Sequence, residues 1–236
     1  MLQEDASIPM YMQIKASLQA DISSGVYAID DKIPTETELC NRYGVSRITV
    51  RKAVAELVDE GYLIKRQGKG TFVRLHRIDR KIEYVMGFTD SVERTGGVAS
   101  SEVLMRQIMP APDDVARRLE LPAHSDVLYI KRVRKADDIP VMMENNFFDP
   151  ARFAFLMEED LSGSLYRMLT ARGIRPVNPK ATLLSMKLAD LELAREMHVA
   201  VGTPFFAIDT LICDQDDCPV HVGHQYCLGE AYTFSL

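Results

Sequence analysis

Apolar residues recur every three or four positions from Pro9 to Ser24, at Tyr11, Ile14, Leu18 and Ile22, which predicts a helix that Gly25 stops. Thr35 can cap a second, short helix containing Leu39, and Gly44 supplies the turn after it. Ser46 then caps a third helix whose Val50, Ala53, Val54, Leu57 and Val58 share one face, while Arg47 and Arg51, four apart, share another. Tyr62 to Gln67 and Thr71 to Val73 read as strands of a hairpin with Gly68-Lys69-Gly70 at its tip. The stretch from Arg74 to Lys81 has no sustained period and reads as a linker.

From Ile82 the pattern changes to period two. Strands are predicted at Val103 to Met109, Val127 to Lys135, Val141 to Phe147, Ala181 to Leu188, Phe205 to Cys213, Val220 to Leu228 and Tyr232 to Ser235. Short helices stand between them. One is opened by a capping box of Asp90 and Glu93 and ended by Gly96-Gly97; others cover Pro112 to Leu119, a segment opened by Ser162 or Gly163 and ended by Gly173, and Leu191 to Met197. Hairpins with interspersed helices imply an α+β class with an antiparallel sheet. The chain divides into a helix-turn-helix with a hairpin wing (1–74), a linker (75–82) and a sheet domain (83–236).

Composition changes this picture only in part. With 236 residues, 47% hydrophobic and 26% charged, the chain can bury two cores. No stretch approaches the roughly 20 apolar residues of a membrane span, and Glu4 and Asp5 break the form of a signal peptide, so the expected location is the cytoplasm. Four cysteines do not suggest a disulfide framework. The net charge of −6 lies wholly in the second part, because residues 1–74 hold ten Lys and Arg against ten Asp and Glu. Within 42–74 eight cations face three acids, an excess that steers one surface toward phosphate.

A helix that buries one side and shows arginines near its start suits a DNA major groove, and a tight tip carrying Lys69 can approach a minor groove. In the second part, period two places Leu128, Ile130, Arg132 and Arg134 on one strand face. The facing strand offers Glu144, and one carboxylate cannot saturate two guanidinium forks. Ser164, near a helix start, adds N–H groups that favour an anion. These residues leave two readings open, an internal salt bridge with an ordinary cap or a bound anion.

Pro34-Thr35-Glu36, Glu38-Leu39, Val45-Ser46-Arg47, Thr49-Val50-Arg51, Glu60-Gly61-Tyr62-Leu63 and Gly68-Lys69-Gly70-Thr71-Phe72-Val73 resemble, in order and spacing, the GntR family of bacterial regulators in its HutC-like branch. The resemblance implies DNA contacts by Arg47, Thr49 and Arg51, with Gly70 at the wing tip; Thr35, Thr37, Ser46 and Lys69 complete the candidate set, although many members carry arginine where this chain has Thr37. From about Tyr84 onward, Phe88-Thr89, Arg132-x-Arg134, Pro140-Val141 leading to Glu144, Ser164-Leu165-Tyr166 and Gly229-Glu230-x-Tyr232-x-Phe234 resemble the UTRA effector-binding domain, similar in fold to chorismate lyase. In members that sense phosphorylated sugars, the two arginines and the serine hold the phosphate. The Glu144 position and Tyr166 hold the rest. His221 and Cys227 stand where many members have a glutamate and an aromatic, and they join Phe88, Thr89, Arg132, Arg134, Glu144, Ser164 and Tyr166 as candidate effector residues.

The implied partners are an inverted-repeat DNA operator, a second copy of the chain and a small anion. A phosphorylated sugar is favoured, and a carboxylate such as urocanate is the alternative. No cofactor is implied. A metal site among Cys213, Cys218, His221, His224 and Cys227 is disfavoured because His224 points away from His221 and Cys227. A chorismate lyase-like enzyme is a further alternative, but no nucleophile with a nearby base is legible.

Overall fold

The structure, a computed structural model, describes residues 8–74, 78–81 and 85–235. Two compact units are present, Met1–His76 and Arg77–Leu236.

In the first unit α1 (Met10–Ser23), α2 (Glu36–Tyr43) and α3 (Arg47–Asp59) precede an antiparallel hairpin of β1 (Leu63–Arg66) and β2 (Gly70–Val73). The predicted apolar faces meet in one core: Ile14, Leu18, Leu39, Val50, Ala53, Val54 and Leu57 are buried, with Leu63 and Val73 sealing its edge. Both caps form as the sequence implies. Thr35 Oγ1 accepts from the Glu38 N–H at 3.3 Å while the Thr35 N–H donates to Glu38 Oε2 at 2.7 Å. Ser46 Oγ accepts from the Thr49 N–H at 3.3 Å. Gly44, at φ 68°, makes the left-handed turn that aims α3 away from α2.

The second unit is built on a six-stranded antiparallel sheet in the order β4 (Ala99–Pro110), β5 (Asp126–Ala136), β6 (Ile139–Phe148), β9 (Pro219–Leu228), β8 (Pro204–Cys213) and β7 (Asn178–Leu188). Asp137 and Asp138 both take positive φ, the geometry of a two-residue hairpin loop whose twist matches its strands. One sheet face carries α6 (Pro150–Phe153), a following 3-10 turn and α7 (Leu165–Ala171), which bury Leu128, Ile130, Phe148, Leu165 and Leu169. On the other face lie α5 (Asp113–Arg118) and α8 (Leu191–Met197). There Val115 and Leu119 pack on Val127, Phe147 and Val222, and buried Lys131 is held by Glu192 and Glu196, each at 2.7 Å.

Two expectations are corrected. The helix expected to open on Asp90 and Glu93 instead runs as α4 (Phe88–Arg94) from Gly87; both acids pair with Arg167 of α7, a partner 74 to 77 residues away that no local pattern shows. Within the expected linker 75–82, residues 78–81 form a strand, β3 (Ile78–Lys81), that pairs in parallel with the terminal β10 (Tyr232–Ser235); the remaining linker positions lie outside the described residues. Ile78 is fully buried. Parallel pairing across the length of the unit leaves no local signature, so the stretch reads as structureless.

Candidate functional site

Period two on β5 carries Arg132 and Arg134 to one sheet face, opposite Glu144 of β6, and α4 and α7 cover them. Arg132, Arg134 and Glu144 are 1%, 2% and 6% exposed, so three charges sit in the interior. Arg132 Nη2 pairs with Glu144 Oε1, and Arg134 Nη1 stands 3.6 Å from the same oxygen. Arg132 Nη1 also donates to the Leu161 carbonyl at 2.9 Å, and Arg134 Nη2 donates to Thr89 Oγ1 at 3.1 Å. The Phe88 ring lies 4.6 Å from the Arg134 guanidinium carbon. Yet the buried Nε of each arginine makes no hydrogen bond among the described residues.

These groups wall a cleft with about 490 Å³ of space between atoms. Among the described residues its charged lining consists of Arg80, Arg132 and Arg134 against Glu144. Burial pushes the Arg134 pKa down to about 10, leaving it a cation at neutral pH. For Glu144 burial works upward, but Arg132 and Arg134 outweigh it and hold the carboxyl below its ordinary value. His221, 1% exposed, is pushed by burial to about 4 and is neutral, so the described lining of the cleft keeps a surplus of two positive charges. His221 Nε2 shares a 3.0 Å hydrogen bond with the Tyr166 hydroxyl.

A buried histidine whose folded pKa lies below its unfolded value supplies stability above the unfolded value and loses it as pH falls. The stability of the second unit should therefore decline by on the order of 1 kcal/mol per pH unit from about 6.5 towards about 4 through this residue. Urea titrations over that range should show the decline flattened in His221→Asn; an unchanged slope would remove His221 as its source.

Phe88, Arg132, Arg134, Glu144, Ser164, Tyr166 and His221 all line the cleft. Ser164 also caps α7, accepting from the Arg167 N–H at 3.3 Å. Thr89 stands behind Arg134 and holds it. Cys227 is set back from the wall beside Arg80 and Tyr232, and burial pushes its thiol up to about 12. Sequence reasoning missed Arg80, Asn146, Gln225 and Tyr232. Gln225 was legible, since it shares a strand face with His221, whereas Arg80 reaches the wall only through the β3–β10 pairing and donates to Gln225 Oε1 at 2.6 Å. His224 lies on the opposite sheet face from His221, and no cluster of three or more metal-ligating side chains occurs among the described residues.

In the first unit the start of α3 is open. Ile48 is 82% exposed, and the Arg51 side chain 67%. Arg47 Nη2 donates to Thr37 Oγ1 at 3.1 Å, and Arg51 pairs with Glu36 at 3.1 Å. At the wing tip Lys69 is exposed between Gly68 and Gly70, both at positive φ. The cation excess counted along 42–74 shrinks in space, because Asp21, Asp30 and Glu36 from upstream pair with Arg42, Arg66 and Arg51.

Residues 10–73 match the model of bacterial regulatory proteins, gntR family, and residues 94–233 match the UTRA domain. The chain belongs to the gntR family of bacterial regulatory proteins. It is 34% identical to the HTH-type transcriptional regulator YurK of Bacillus subtilis (strain 168), over all of this chain and 98% of that one. It is also 34% identical to a probable fructoselysine utilization operon transcriptional repressor of Escherichia coli (strain K12), over 96% of this chain and 93% of the relative. Among solved structures, PhnF from Mycobacterium smegmatis matches 94% of this chain and 97% of its own with a TM-score of 0.66 at 26% identity. This gntR-family chain is therefore a DNA-binding transcription regulator with a UTRA effector domain, and not an enzyme. Among the described residues no helix is long and apolar enough to cross a membrane.

Proposed function

We propose that this regulator is a cytoplasmic homodimeric repressor whose grip on an inverted-repeat operator is modulated by a small phosphorylated sugar or sugar derivative bound at Arg132, Arg134 and Ser164. The observation that carries the reading is the surplus of positive charge among the described residues of the cleft, with an unpartnered, buried Nε on both Arg132 and Arg134. Fork-shaped guanidinium donors suit the several oxygens of a phosphate better than a single carboxylate. Glu144, Tyr166 and His221, which line the same cleft, recognise the uncharged part of the ligand in this reading. The name of the Escherichia coli relative, which refers to a sugar derivative, supports the same class. For the dimer, support comes from the edge strand β7, where Leu183, Leu184, Met186 and Leu188 are exposed together. Thermal shift with fructose 6-phosphate, glucosamine 6-phosphate, urocanate and inorganic phosphate tests the site: stabilisation by a sugar phosphate and not by urocanate is expected, and the reverse order makes the carboxylate reading the correct one.

On DNA, Arg47, Thr49 and Arg51 face the major groove from α3, with Ile48 beside them to meet thymine methyl groups. Thr35, Thr37 and Ser46 lie at the neighbouring helix starts, and Lys69 with Gly70 reaches for the backbone or minor groove. Arg51 leaves the Glu36 carboxylate, an exposed and weakly held partner, when a guanine edge or phosphate replaces it. Arg51→Ala should weaken operator binding about ten- to hundredfold at fixed salt with the fold unchanged. A titration showing equal affinity would remove Arg51 from the interface.

A further inference from the structure

The wing of the first unit is wider than its hairpin. Residues 30–33 run antiparallel along the free edge of β2: the Asp30 N–H donates to the Val73 carbonyl at 3.1 Å, the Val73 N–H to the Asp31 carbonyl at 2.9 Å and the Ile33 N–H to the Thr71 carbonyl at 3.0 Å. Lys32 stands opposite Phe72 on this edge, and Ile64 of β1 stands opposite it on the other. Alternation sends Ile33, 2% exposed, into the core and Lys32 to the solvent face, where Arg66 lies over the Phe72 ring.

On that face the lysine stem crosses Gly70. A Cβ on Gly70 would stand 2.5 Å from Lys32 Cε, 3.2 Å from Nζ and 3.4 Å from Cδ, so the side chain lies in a channel that exists because residue 70 is glycine. The stem thereby carries the Lys32 ammonium to the wing tip, where Lys69 is also exposed. Neither lysine has an ion-pair partner among the described residues, whereas Arg66 on the same face is paired with Asp30. Towards α2, Lys32 walls an open groove with Thr35 and Glu38, and the Glu38 carboxylate is taken by the Thr35 N–H and hydroxyl, each at 2.7 Å. Thr37 of the same helix start receives Arg47. Lys32 therefore lies between the wing tip and the start of α2, inside the surface assigned to DNA.

We propose that Lys32 is a further DNA-binding residue, contacting a backbone phosphate, and that Gly70 serves this contact by leaving room for the lysine stem. This rests on the reading that α2, α3 and the wing face the operator. A compact ammonium meets a phosphate oxygen as a point charge and lacks the planar fork that reads a guanine edge. Lys32 belongs to no helix, and Asp30 and Asp31 directly before it cancel its charge in any count along the chain. Neutralising a phosphate releases counterions, so the contact is visible in the salt dependence of binding.

The test is fluorescence anisotropy of the full chain on an operator duplex selected from random sequence by the wild-type protein, repeated between about 50 and 200 mM salt. Lys32→Gln should weaken binding and reduce the slope of log affinity against log salt by about 0.9 for each chain bound. The loss should be equal on duplexes with A·T-rich and G·C-rich flanks, and Lys32→Arg should keep the wild-type slope. Gly70→Ala should cost about 0.9 less slope per chain when residue 32 is already Gln than when it is Lys. An unchanged slope in Lys32→Gln beside a weakened Arg51→Ala overturns the Lys32 contact alone. Equal slope loss from Gly70→Ala in both backgrounds overturns the part assigned to Gly70. A loss confined to A·T-rich flanks makes Lys32 a minor-groove reader and overturns the phosphate contact. If Lys32→Gln and Arg51→Ala both bind as the wild type does, the DNA face itself is misassigned and this proposal falls with it.

Discussion

Replacing Glu144 with alanine is expected to destabilise the second unit by about 3–5 kcal/mol, the largest loss expected of any single substitution in the cleft. Among the described residues Glu144 is the one carboxylate facing two arginines that are 1% and 2% exposed, and its removal leaves both buried without that counter-charge. Because the folded carboxyl lies below its ordinary pKa, its contribution is complete above the unfolded value and disappears as pH falls through the folded one. Glu144→Gln should therefore lose most of the same stability at neutral pH and less in acid. An anion offers a remedy. Millimolar inorganic phosphate should raise the Tm of Glu144→Ala by more than it raises that of the wild type, since only the variant has two uncompensated guanidinium groups. Equal shifts would mean that phosphate binds elsewhere.

Arg132→Ala should separate the two functions of the chain. Arg132 lies in the second unit, on β5, and its Nη groups hold Glu144 and the Leu161 carbonyl. Losing it removes a charge-assisted contact to the anion, about 1.5–3 kcal/mol, which is an order of magnitude or more in effector affinity. Operator affinity without effector should be unchanged, because α3 and the wing belong to the first unit. The response to effector should vanish over the concentrations that release the wild type.

The first unit was legible because its signals are local. Thr35 and Glu38 are three residues apart, Ser46 directly precedes its helix, and Gly68 and Gly70 bracket the turn. The anion cleft was half legible for the same reason. Alternation along a strand fixes which residues share a face, so Arg132, Arg134 and Glu144 could be placed together before any fold was known. Arg80 could not be, because its position depends on a parallel pairing between β3 and a strand some 150 residues later. The Arg167 pairing that turned Asp90 and Glu93 from caps into ion-pair partners is equally non-local. Charge counted along the chain misled in the same way: Asp21, Asp30 and Glu36 precede the basic stretch in sequence and neutralise part of it in space.

The central claim is that an anion held by Arg132 and Arg134 controls operator binding. Fluorescence anisotropy tests it most directly, using an operator duplex selected from random sequence by the wild-type protein and titrated with wild type and Arg132→Ala at one salt concentration. Each titration is run without ligand and with the sugar phosphate that gives the largest thermal shift. The account predicts coincident curves for the two proteins without ligand, and a ligand-induced displacement of the wild-type curve that Arg132→Ala lacks. Equal displacement of both curves would contradict it.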